Sequence, residues 1–320
     1  MLSVVVPTRD TRELVLECLS SLDRQGLDTV EVIVVDDGSR DGTSDAIRRR
    51  HPRIRTLINP SPEGYTRAAN RGMATSRGDP ILLLNSDTRV EPGSLRALVA
   101  AFAEDPRLGV AGADLRFPDG RAQWSHGPVP GLVWFFLLGS NLAQQASRWP
   151  LYQRLRRRPA NRASTRLDDR ATGWVTGAAL ALRRACMDEI GLLDERFALY
   201  AQDLDLCVRA RRAGWRVNHL PALRIMHHAG STICRTQPEQ NLGHQRVVTL
   251  WSDLLLWAEK EHDPRWASRA EAALVAGVRL RLLSRRALAR LRSGSERQLF
   301  ERDSAVLYHA LENLRSRQGR

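Results

Sequence analysis

The sequence predicts an α/β fold in which a mostly parallel, doubly wound sheet carries helices on both faces. Short apolar runs alternate with segments of helical periodicity through the first 115 residues. Some runs, such as Val30–Val35 and Ile81–Leu84, are apolar at nearly every position, which is typical of strands covered on both sides. Four strands end in acid or amide clusters, and sheets of this kind bind ligands at the carboxyl ends of their strands.

Each element of this first part follows from its local pattern. The predicted strands are β-branched or aliphatic runs, and the predicted helices repeat apolar residues at three- and four-residue spacing. Proline, glycine and aspartate, which favour turns, stand between them. In chain order the predicted strands are Ser3–Val6, Val30–Val35, Ile54–Ile58, Ile81–Leu84 and Leu108–Asp114, and the predicted helices are Arg12–Arg24, Thr43–Arg50, Tyr65–Ser76 and Ser94–Ala103.

The regular alternation stops after residue 115. An insert is predicted near 127–161, where an aromatic and aliphatic run precedes clustered arginines. A strand is then expected within Gly173–Arg183, a helix within Leu199–Trp215 and a strand at Leu223–Met226. From about Leu242 onward the chain is rich in arginine and is predicted to be helical. The predicted domains are a catalytic domain over 1–240, divided into halves 1–115 and 116–240, and a basic helical extension over 241–320.

Composition narrows the class of protein. The chain has 320 residues, of which 42% are hydrophobic, and this allows a sizeable core. Its net charge of +13 favours an anionic partner. The longest apolar run, Leu132–Leu138, is much shorter than the roughly 20 residues of a membrane-spanning helix. The four cysteines form no CxxC pair, so a reduced, cytoplasmic protein is expected.

Three strand-end clusters have both a structural and a functional interpretation. Asn85-Ser86-Asp87 is either a turn that caps the next helix or an oxygen-ligand site for Mg²⁺ or Mn²⁺. Asp36-Asp37-Gly38-Ser39 is either an Asx-type turn or a site that accepts hydrogen bonds from a nucleotide. His227 and His228 follow an apolar strand, where one histidine is either structural or a metal ligand. Neither GxGxxG nor a Walker sequence is present, which argues against dinucleotide and P-loop sites.

Seven motifs in order carry a resemblance to a known family. They are VVVPT, VVDDGS, LLLNSD, GWVTGA, GLLDERF, QDLDLCVRARRAGW and IMHH. Through about its first 230 residues the sequence resembles the family 2 glycosyltransferases, which have a GT-A fold. It is most similar to their bacterial rhamnosyltransferase-like branch, which builds cell-envelope polysaccharides.

The resemblance implies a role for each matching residue. Asp203 is implied as the general base, and Gln202 stands where the family usually has a glutamate. Asp87 and His227 are implied as metal ligands, with His228 as the fallback. Trp174, Thr176 and Gly177 would shape the sugar and acceptor pocket together with Gln202. The implied nucleotide-binding residues are Pro7, Thr8, Asp10, Asp36, Asp37, Ser39, Gly64, Asn70, Asn85 and Ser86.

The chemistry implied is an inverting, metal-dependent transfer from a nucleotide-diphosphate sugar, UDP- or dTDP-linked and including dTDP-rhamnose, to a glycan or lipid-linked glycan. Mn²⁺ or Mg²⁺ would stabilise the leaving diphosphate, and Asp203 would take the acceptor proton. Gln202→Glu is expected to be tolerated. The alternative is a non-catalytic sugar-nucleotide or glycan-binding relative, because Asn85 and Gln202 each replace an acid. A nucleic-acid partner is not expected, since acid clusters at four strand ends would repel phosphate.

Two basic regions outside the motifs each allow two interpretations. The Leu132–Leu138 run with its following arginines, and Leu274–Arg292, fit either helices packed on the catalytic domain or a peripheral contact with an anionic membrane surface. If the acceptor is lipid-linked, the second interpretation places the enzyme at the inner face of the cell membrane.

Overall fold

The computed structural model describes residues 1–26, 30–142, 172–228, 242–290 and 295–318. The chain forms two compact units. Unit 1 comprises Met1–Val129 and Leu167–Glu239, and unit 2 comprises Pro130–Arg166 and Gln240–Arg320. The sequence predicted a domain boundary at residue 240 and assigned the insert to the catalytic domain. That division stays a prediction, although the described helix of the insert lies in unit 2.

Unit 1 is built on an eight-stranded sheet. Its strands are β1 Leu2–Thr8, β2 Val30–Asp36, β3 Arg55–Ile58, β4 Ile81–Leu84, β5 Thr88–Val90, β6 Leu108–Arg116, β9 Ala179–Leu182 and β10 Arg216–His227; β7 His126–Gly127 and β8 Trp174–Val175 form a separate ribbon. The strand order in the sheet is β3-β2-β1-β4-β9-β6-β10-β5. Pairing is parallel among β1, β2, β3 and β4 and between β6 and β10, whereas β9 and β5 run antiparallel to their neighbours.

Helices cover both faces of this sheet, as predicted. The helices of unit 1 are α1 Arg12–Asp23, α2 Thr43–Arg50, α3 Tyr65–Thr75, α4 Ser94–Glu104, α6 Arg184–Ile190 and α7 Gln202–Arg212. Successive side chains of β1 show the division, because Val4 and Val6 pack with α1, α2 and α4 while Val5 packs with α3, α6 and α7. The mostly parallel, doubly wound α/β fold is therefore confirmed. The antiparallel direction of β9 was not predicted, because the local pattern of a buried strand carries no information on its direction.

Unit 2 is helical. Its described helices are α5 Leu132–Ser140, α8 Leu242–Glu261, α9 Pro264–Arg290 and α10 Ser295–Gln318. α5 and α9 cross closely at Gly139 and Gly277, since a Cβ on Gly277 would collide with the carbonyl oxygen of Phe136. The predicted C-terminal helices are thus present. Among the described residues, no helix is both long and apolar enough to cross a membrane.

Candidate active site

The predicted strand-end clusters lie side by side at one edge of the unit 1 sheet. Thr8 is in register with Asp36, and the amide of Asp37 donates to the carbonyl of Thr8 at 2.9 Å. Hydroxyl groups continue the connection to the end of β4, because Thr11 lies 2.7 Å from Thr8 and 3.1 Å from Ser86. This proximity follows from parallel pairing, which brings carboxyl ends to the same edge.

The two carboxylates at the end of β2 accept hydrogen bonds from the chain itself. Asp36 accepts from the amide of Ser39 at 2.9 Å and from the hydroxyl of Ser44. Asp37 accepts from the side-chain amide of Asn59 at 2.8 Å and from the amides of Glu63 and Gly64, at 2.8 and 2.9 Å. Both aspartates are buried. Their visible effect is to fix the loops at this edge, and direct nucleotide contact stays a prediction for them.

Asp10 differs because its carboxylate is partly exposed. It has a positive φ of 51°, its amide donates to the hydroxyl of Ser39 at 2.9 Å, and one carboxylate oxygen accepts from the amide of Arg40 at 2.7 Å. Its side chain is 27% exposed at the end of the strand that contains the buried Pro7. Its other carboxylate oxygen lies 3.7 Å from Nε of the exposed Arg9, so Asp10 differs from Asp36 and Asp37 in its exposure and not in lacking partners.

The start and middle of α3 hold Gly64 and Asn70. Gly64 precedes the helix with a φ of 96°, a conformation that L side chains rarely adopt. Asn70 engages both of its amide groups with Leu193, donating to its carbonyl at 2.9 Å and accepting from its amide at 3.0 Å. Asn70 thus holds the loop of the GLLDERF motif against α3, and any effect on a nucleotide would pass through that loop.

The turn after β4 brings a carboxylate and an imidazole together. Oδ1 of Asp87 lies 3.3 Å from Nε2 of His227, and both side chains are largely buried. The main chain closes the same junction, because the amide of His228 donates to the carbonyl of Asp87 at 2.9 Å. Beside them, Oδ1 of Asn85 is buried and accepts no hydrogen bond within the described part of the chain. The predicted metal ligands Asp87 and His227 are therefore adjacent.

Gln123 fixes the orientation of His227, and the sequence motifs did not include it. Its Nε2 donates to the carbonyl of His227 at 2.6 Å, which places its Oε1 at 3.0 Å from Nδ1 of the same residue. An amide oxygen only accepts, so Nδ1 is the protonated nitrogen. In the neutral ring, Nε2 therefore presents a lone pair to Asp87.

These residues fit a divalent cation. Two acceptor atoms that face each other at 3.3 Å need a positive species between or beside them, either a proton or a metal ion. The described residues contain no cluster of three or more His, Cys, Asp and Glu that could hold a metal. Two protein ligands still suffice for Mg²⁺ or Mn²⁺ when a substrate diphosphate supplies other oxygens. Asp87 and His227 would hold such an ion.

Asp203 lies in the first turn of α7 and against Gly177. The amide of Gly177 donates to its Oδ2 at 2.7 Å, and the hydroxyl of Tyr65 donates to the carbonyl of Gly177 at 3.2 Å. Burial raises the pKa of Asp203, while the amides of Gly177 and Leu204 oppose that rise. Burial also raises the pKa of Tyr65, and the charges of Asp203 and Asp87 add to it. The amide of Asn85 donates at 2.9 Å to the carbonyl of Ala178, the residue after Gly177, so the Asn85–Asp87 turn and the segment that holds Asp203 are neighbours.

The neighbouring polar residues of α7 point into the protein. Asp205 is completely buried and pairs with Nε of Arg209 at 2.8 Å. Arg209 in turn donates to the carbonyls of Ile190 and Leu192. Nε2 of Gln202 donates to the carbonyl of Leu199 at 2.9 Å, while its buried Oε1 accepts no hydrogen bond from the described residues.

The strand β8 forms the remaining wall. The ring of Trp174 meets that of Trp124 edge to face, with centroids 5.0 Å apart. The amide of Thr176 donates to the carbonyl of Ser125 at 2.9 Å, which ties β8 to the segment that carries Gln123. Trp174, Thr176 and Gly177 thus connect the metal side of the site with Asp203, as the pocket role predicted for them requires. That role itself stays a prediction.

Comparison with solved structures agrees with this architecture. The chain superposes on the mannosyltransferase PcManGT of Pyrobaculum calidifontis, solved with GDP-Man and Mn²⁺, with a TM-score of 0.59 at 17% identity over 98% of this chain and 86% of that one. It also superposes on GalNAc-T7, solved with UDP, GalNAc and Mn²⁺, with a TM-score of 0.53 at 16% identity, covering 71% and 43% of the two chains. The fold is of the GT-A type.

Sequence comparison extends the agreement to the family. The chain is 29% identical over 283 residues to the N-acetylglucosaminyl-diphospho-decaprenol L-rhamnosyltransferase of Mycobacterium tuberculosis, which covers 82% of this chain and 87% of that protein. It is 29% identical over 240 residues to the O-antigen biosynthesis protein RfbC of Myxococcus xanthus, covering 72% of this chain and 17% of RfbC. Residues 3–187 match the model of Glycosyl transferase family 2. The chain therefore belongs to glycosyl transferase family 2 and is a rhamnosyltransferase-like glycosyltransferase.

Proposed function

We propose that the protein is an inverting, metal-assisted glycosyltransferase that moves a sugar from a nucleotide-diphosphate donor to a hydroxyl of a glycan or lipid-linked glycan. The observation that carries this proposal is the position of Asp203, a half-buried carboxylate held by the amide of Gly177, while Ala178, the next residue, accepts at 2.9 Å from the amide of Asn85. A base beside a pair of metal ligands is what a metal-assisted single displacement needs.

In the proposed reaction, Asp203 takes the proton of the acceptor. The acceptor hydroxyl oxygen forms a bond to C1 of the sugar, the bond from C1 to the diphosphate oxygen breaks, and the hydroxyl proton goes to a carboxylate oxygen of Asp203. The raised pKa of Asp203 makes it a stronger base than an exposed aspartate. The amide of Gly177 orients the carboxylate. No second carboxylate is required as a nucleophile, so inversion is expected.

In the proposed reaction, the strand-end residues act at the leaving diphosphate. A divalent cation, when bound, stabilises the negative charge that develops on the diphosphate. Asp87 and His227 would hold it, and Mn²⁺ in the two structures of similar fold supports this choice. Asp10 offers a partly exposed carboxylate to ribose or base donors. Asp36 and Asp37 would act by fixing the surrounding loops.

The donor and acceptor classes come from the relatives. The name of the mycobacterial relative points to a rhamnosyl donor and an acceptor carried on a polyprenyl diphosphate. We therefore favour a UDP- or dTDP-sugar, with dTDP-rhamnose as the first candidate. An acceptor of this kind is anionic, which suits the net charge of +13.

A ligand screen tests the donor site. UDP-, dTDP- and GDP-sugars are added with and without Mn²⁺ while thermal unfolding is followed. A donor at 100 times its Kd should add about 2.7 kcal/mol to the free energy of unfolding. Asp87→Asn is the matched variant, since it should lose the Mn²⁺-dependent part of the shift and keep the fold. The donor-site assignment is wrong if no nucleotide sugar raises the melting temperature of the wild type with Mn²⁺ present.

A non-catalytic binding protein is the second candidate, and two amides favour it. Asn85 and Gln202 occupy positions where the family usually has acids, and each leaves a buried oxygen without a donor in the described part of the chain. Retention of Asp203, Asp87 and His227 favours the enzyme. Radiolabel transfer from a donor found in the screen separates the two, because a binding protein shifts its melting temperature without turning over.

We also propose that unit 2 rests on an anionic membrane surface through one face of α9. Leu280 and Leu283 are 42% and 62% exposed and lie three residues apart, on the side of the helix away from the buried Leu274, Val278 and Leu282. Exposed arginines accompany the two leucines on this side, namely Arg279, Arg286 and Arg290. An apolar stripe with basic flanks favours a lipid surface over nucleic acid.

The helix α5 of the same unit supports this surface. It is apolar at seven successive positions, and a helix of that kind is usually buried. Here Val133 is 73% exposed and only Phe135 among those seven is fully buried. A lipid surface would cover the apolar side chains of α5 that are exposed in the protein.

Vesicle co-sedimentation tests the membrane proposal. The wild type should pellet with vesicles containing phosphatidylglycerol and release at high salt, because each arginine near an anionic surface contributes about 1 kcal/mol. Leu280→Gln with Leu283→Gln should reduce pelleting, whereas Val99→Gln, at an exposed position of α4 in unit 1, should not. Equal pelleting of all three proteins, or none by the wild type, would remove this surface from the account.

A further inference from the structure

We infer that Gln123 is a positioning residue that prepares His227 to bind the divalent cation. This inference rests on the proposed metal-assisted function and deepens it. Gln123 approaches neither Asp87 nor Asp203 in any hydrogen bond described for it. Its contacts are with the backbone carbonyl and Nδ1 of His227, at 2.6 and 3.0 Å.

The donor in one of these contacts fixes the acceptor in the other. The backbone carbonyl of His227 only accepts, so the amide nitrogen of Gln123 must face it. The amide oxygen then faces Nδ1, which must carry the proton. A neutral ring protonated at Nδ1 has its remaining lone pair on Nε2, and Nε2 is the atom that lies 3.3 Å from Oδ1 of Asp87. The side chain of Gln123 thereby selects the tautomer that is able to ligate a metal.

The backbone holds Gln123 in this place. After β6 the segment Phe117–Arg121 turns back, with the amide of Phe117 donating to the carbonyl of Arg121 at 2.8 Å and Gly120 at a φ of 81°. The amide of Gln123 then donates to the carbonyl of Leu115 at 2.8 Å. Because Leu115 is in register with Ile225 on β10, the turn places Gln123 above the end of β10 and beside His227.

The test measures Mn²⁺ affinity and not turnover. The paramagnetic signal of free Mn²⁺ is titrated in the presence of UDP for the wild type, Gln123→Met and Gln123→Glu. Methionine keeps the length of the side chain and removes both hydrogen bonds, so the Mn²⁺ dissociation constant should rise by about 10–100-fold. Glutamate keeps an acceptor for Nδ1 and should weaken Mn²⁺ less than methionine does.

A second half-buried glutamine provides the control. Gln25 also donates its Nε2 to backbone carbonyls, those of Val90 and Glu91 among them, at the far end of α1. Gln25→Met should therefore cost comparable stability and leave Mn²⁺ affinity unchanged. A general loss of structure would affect both methionine variants, and the melting temperature of each is measured alongside.

The outcomes separate this inference from the proposed function. If the wild type binds Mn²⁺ and Gln123→Met binds it equally well, the role of Gln123 is wrong and the metal site stands. If Gln25→Met weakens Mn²⁺ as much as Gln123→Met, the effect is structural and the inference is also overturned. If the wild type with UDP binds no Mn²⁺, the metal-assisted function fails and this inference fails with it.

Discussion

Two aspartates on opposite sides of helix α7 have opposite surroundings. On the inner side, Asp205 is fully buried and its charge is matched by Arg209, which ties the helix to the loop at Ile190–Leu192. On the opposite side, Asp203 is half-buried, lies against Gly177, and meets two backbone amides but no arginine or lysine in the contacts described. Asp205 therefore stabilises the fold through its ion pair, whereas Asp203 has no such pair in the contacts described and can act on a substrate.

The largest expected effect is on turnover by Asp203→Asn. Asparagine cannot take the acceptor proton, so kcat should fall by about 10²–10⁴-fold. Stability should not fall. The folded pKa of Asp203 is raised above its unfolded value, so stability declines as pH rises through the interval between them, and the ionised form is a cost at neutral pH. Melting curves at pH 7 should therefore show an unchanged or higher midpoint for Asp203→Asn.

Asp205→Asn should show the reverse pattern. Removing the buried charge leaves Arg209 without its ion pair, which should lower the free energy of unfolding by about 3 kcal/mol. Urea unfolding measures that loss. In the folded fraction, kcat should stay close to the wild-type value. A large fall in kcat without a fall in stability would show that Asp205 and not Asp203 serves the reaction.

Gln202→Glu should have the smallest effect. The sequence alone predicted that it would be tolerated, because the family usually has glutamate there. In the structure, Nε2 of Gln202 donates to the carbonyl of Leu199, and a glutamate would lose that donor in a buried place. We now expect a loss of about 1–3 kcal/mol in stability with little change in kcat. Gln202→Met is the control, since it removes the same hydrogen bond without adding a charge.

Much of the fold could be predicted because it depends on local pattern. The alternation of apolar runs and helical periodicity located β1 to β4, β6 and the helices between them to within a few residues. The short strand β5 and the direction of β9 were missed, since strand pairing depends on residues far away in sequence. The gathering of strand-end clusters was predictable for the same reason as the sheet, because parallel strands end at one edge.

The finer contents of the site could not be read in the same way. Tyr65 and Gln123 belong to no motif, and their positions depend on the start of α3 and on the turn after β6. A signal for the second existed, since Pro118-Asp119-Gly120 is a turn sequence that returns the chain toward β10. The different roles of Asp203 and Asp205 depend on Gly177 and Arg209, one distant in sequence and the other four residues away.

The pH dependence of kcat/KM tests the central claim most directly, because it reports on the base of the free enzyme. We predict an acidic limb above the ordinary aspartate range of about 3.9, since burial raises the pKa of Asp203. Activity should fall as pH drops through this limb. Asp205→Asn should keep the limb, and Asp203→Asn should lose it and leave only a low, flat rate. If the limb persists in Asp203→Asn, another group is the base and the account of α7 is wrong.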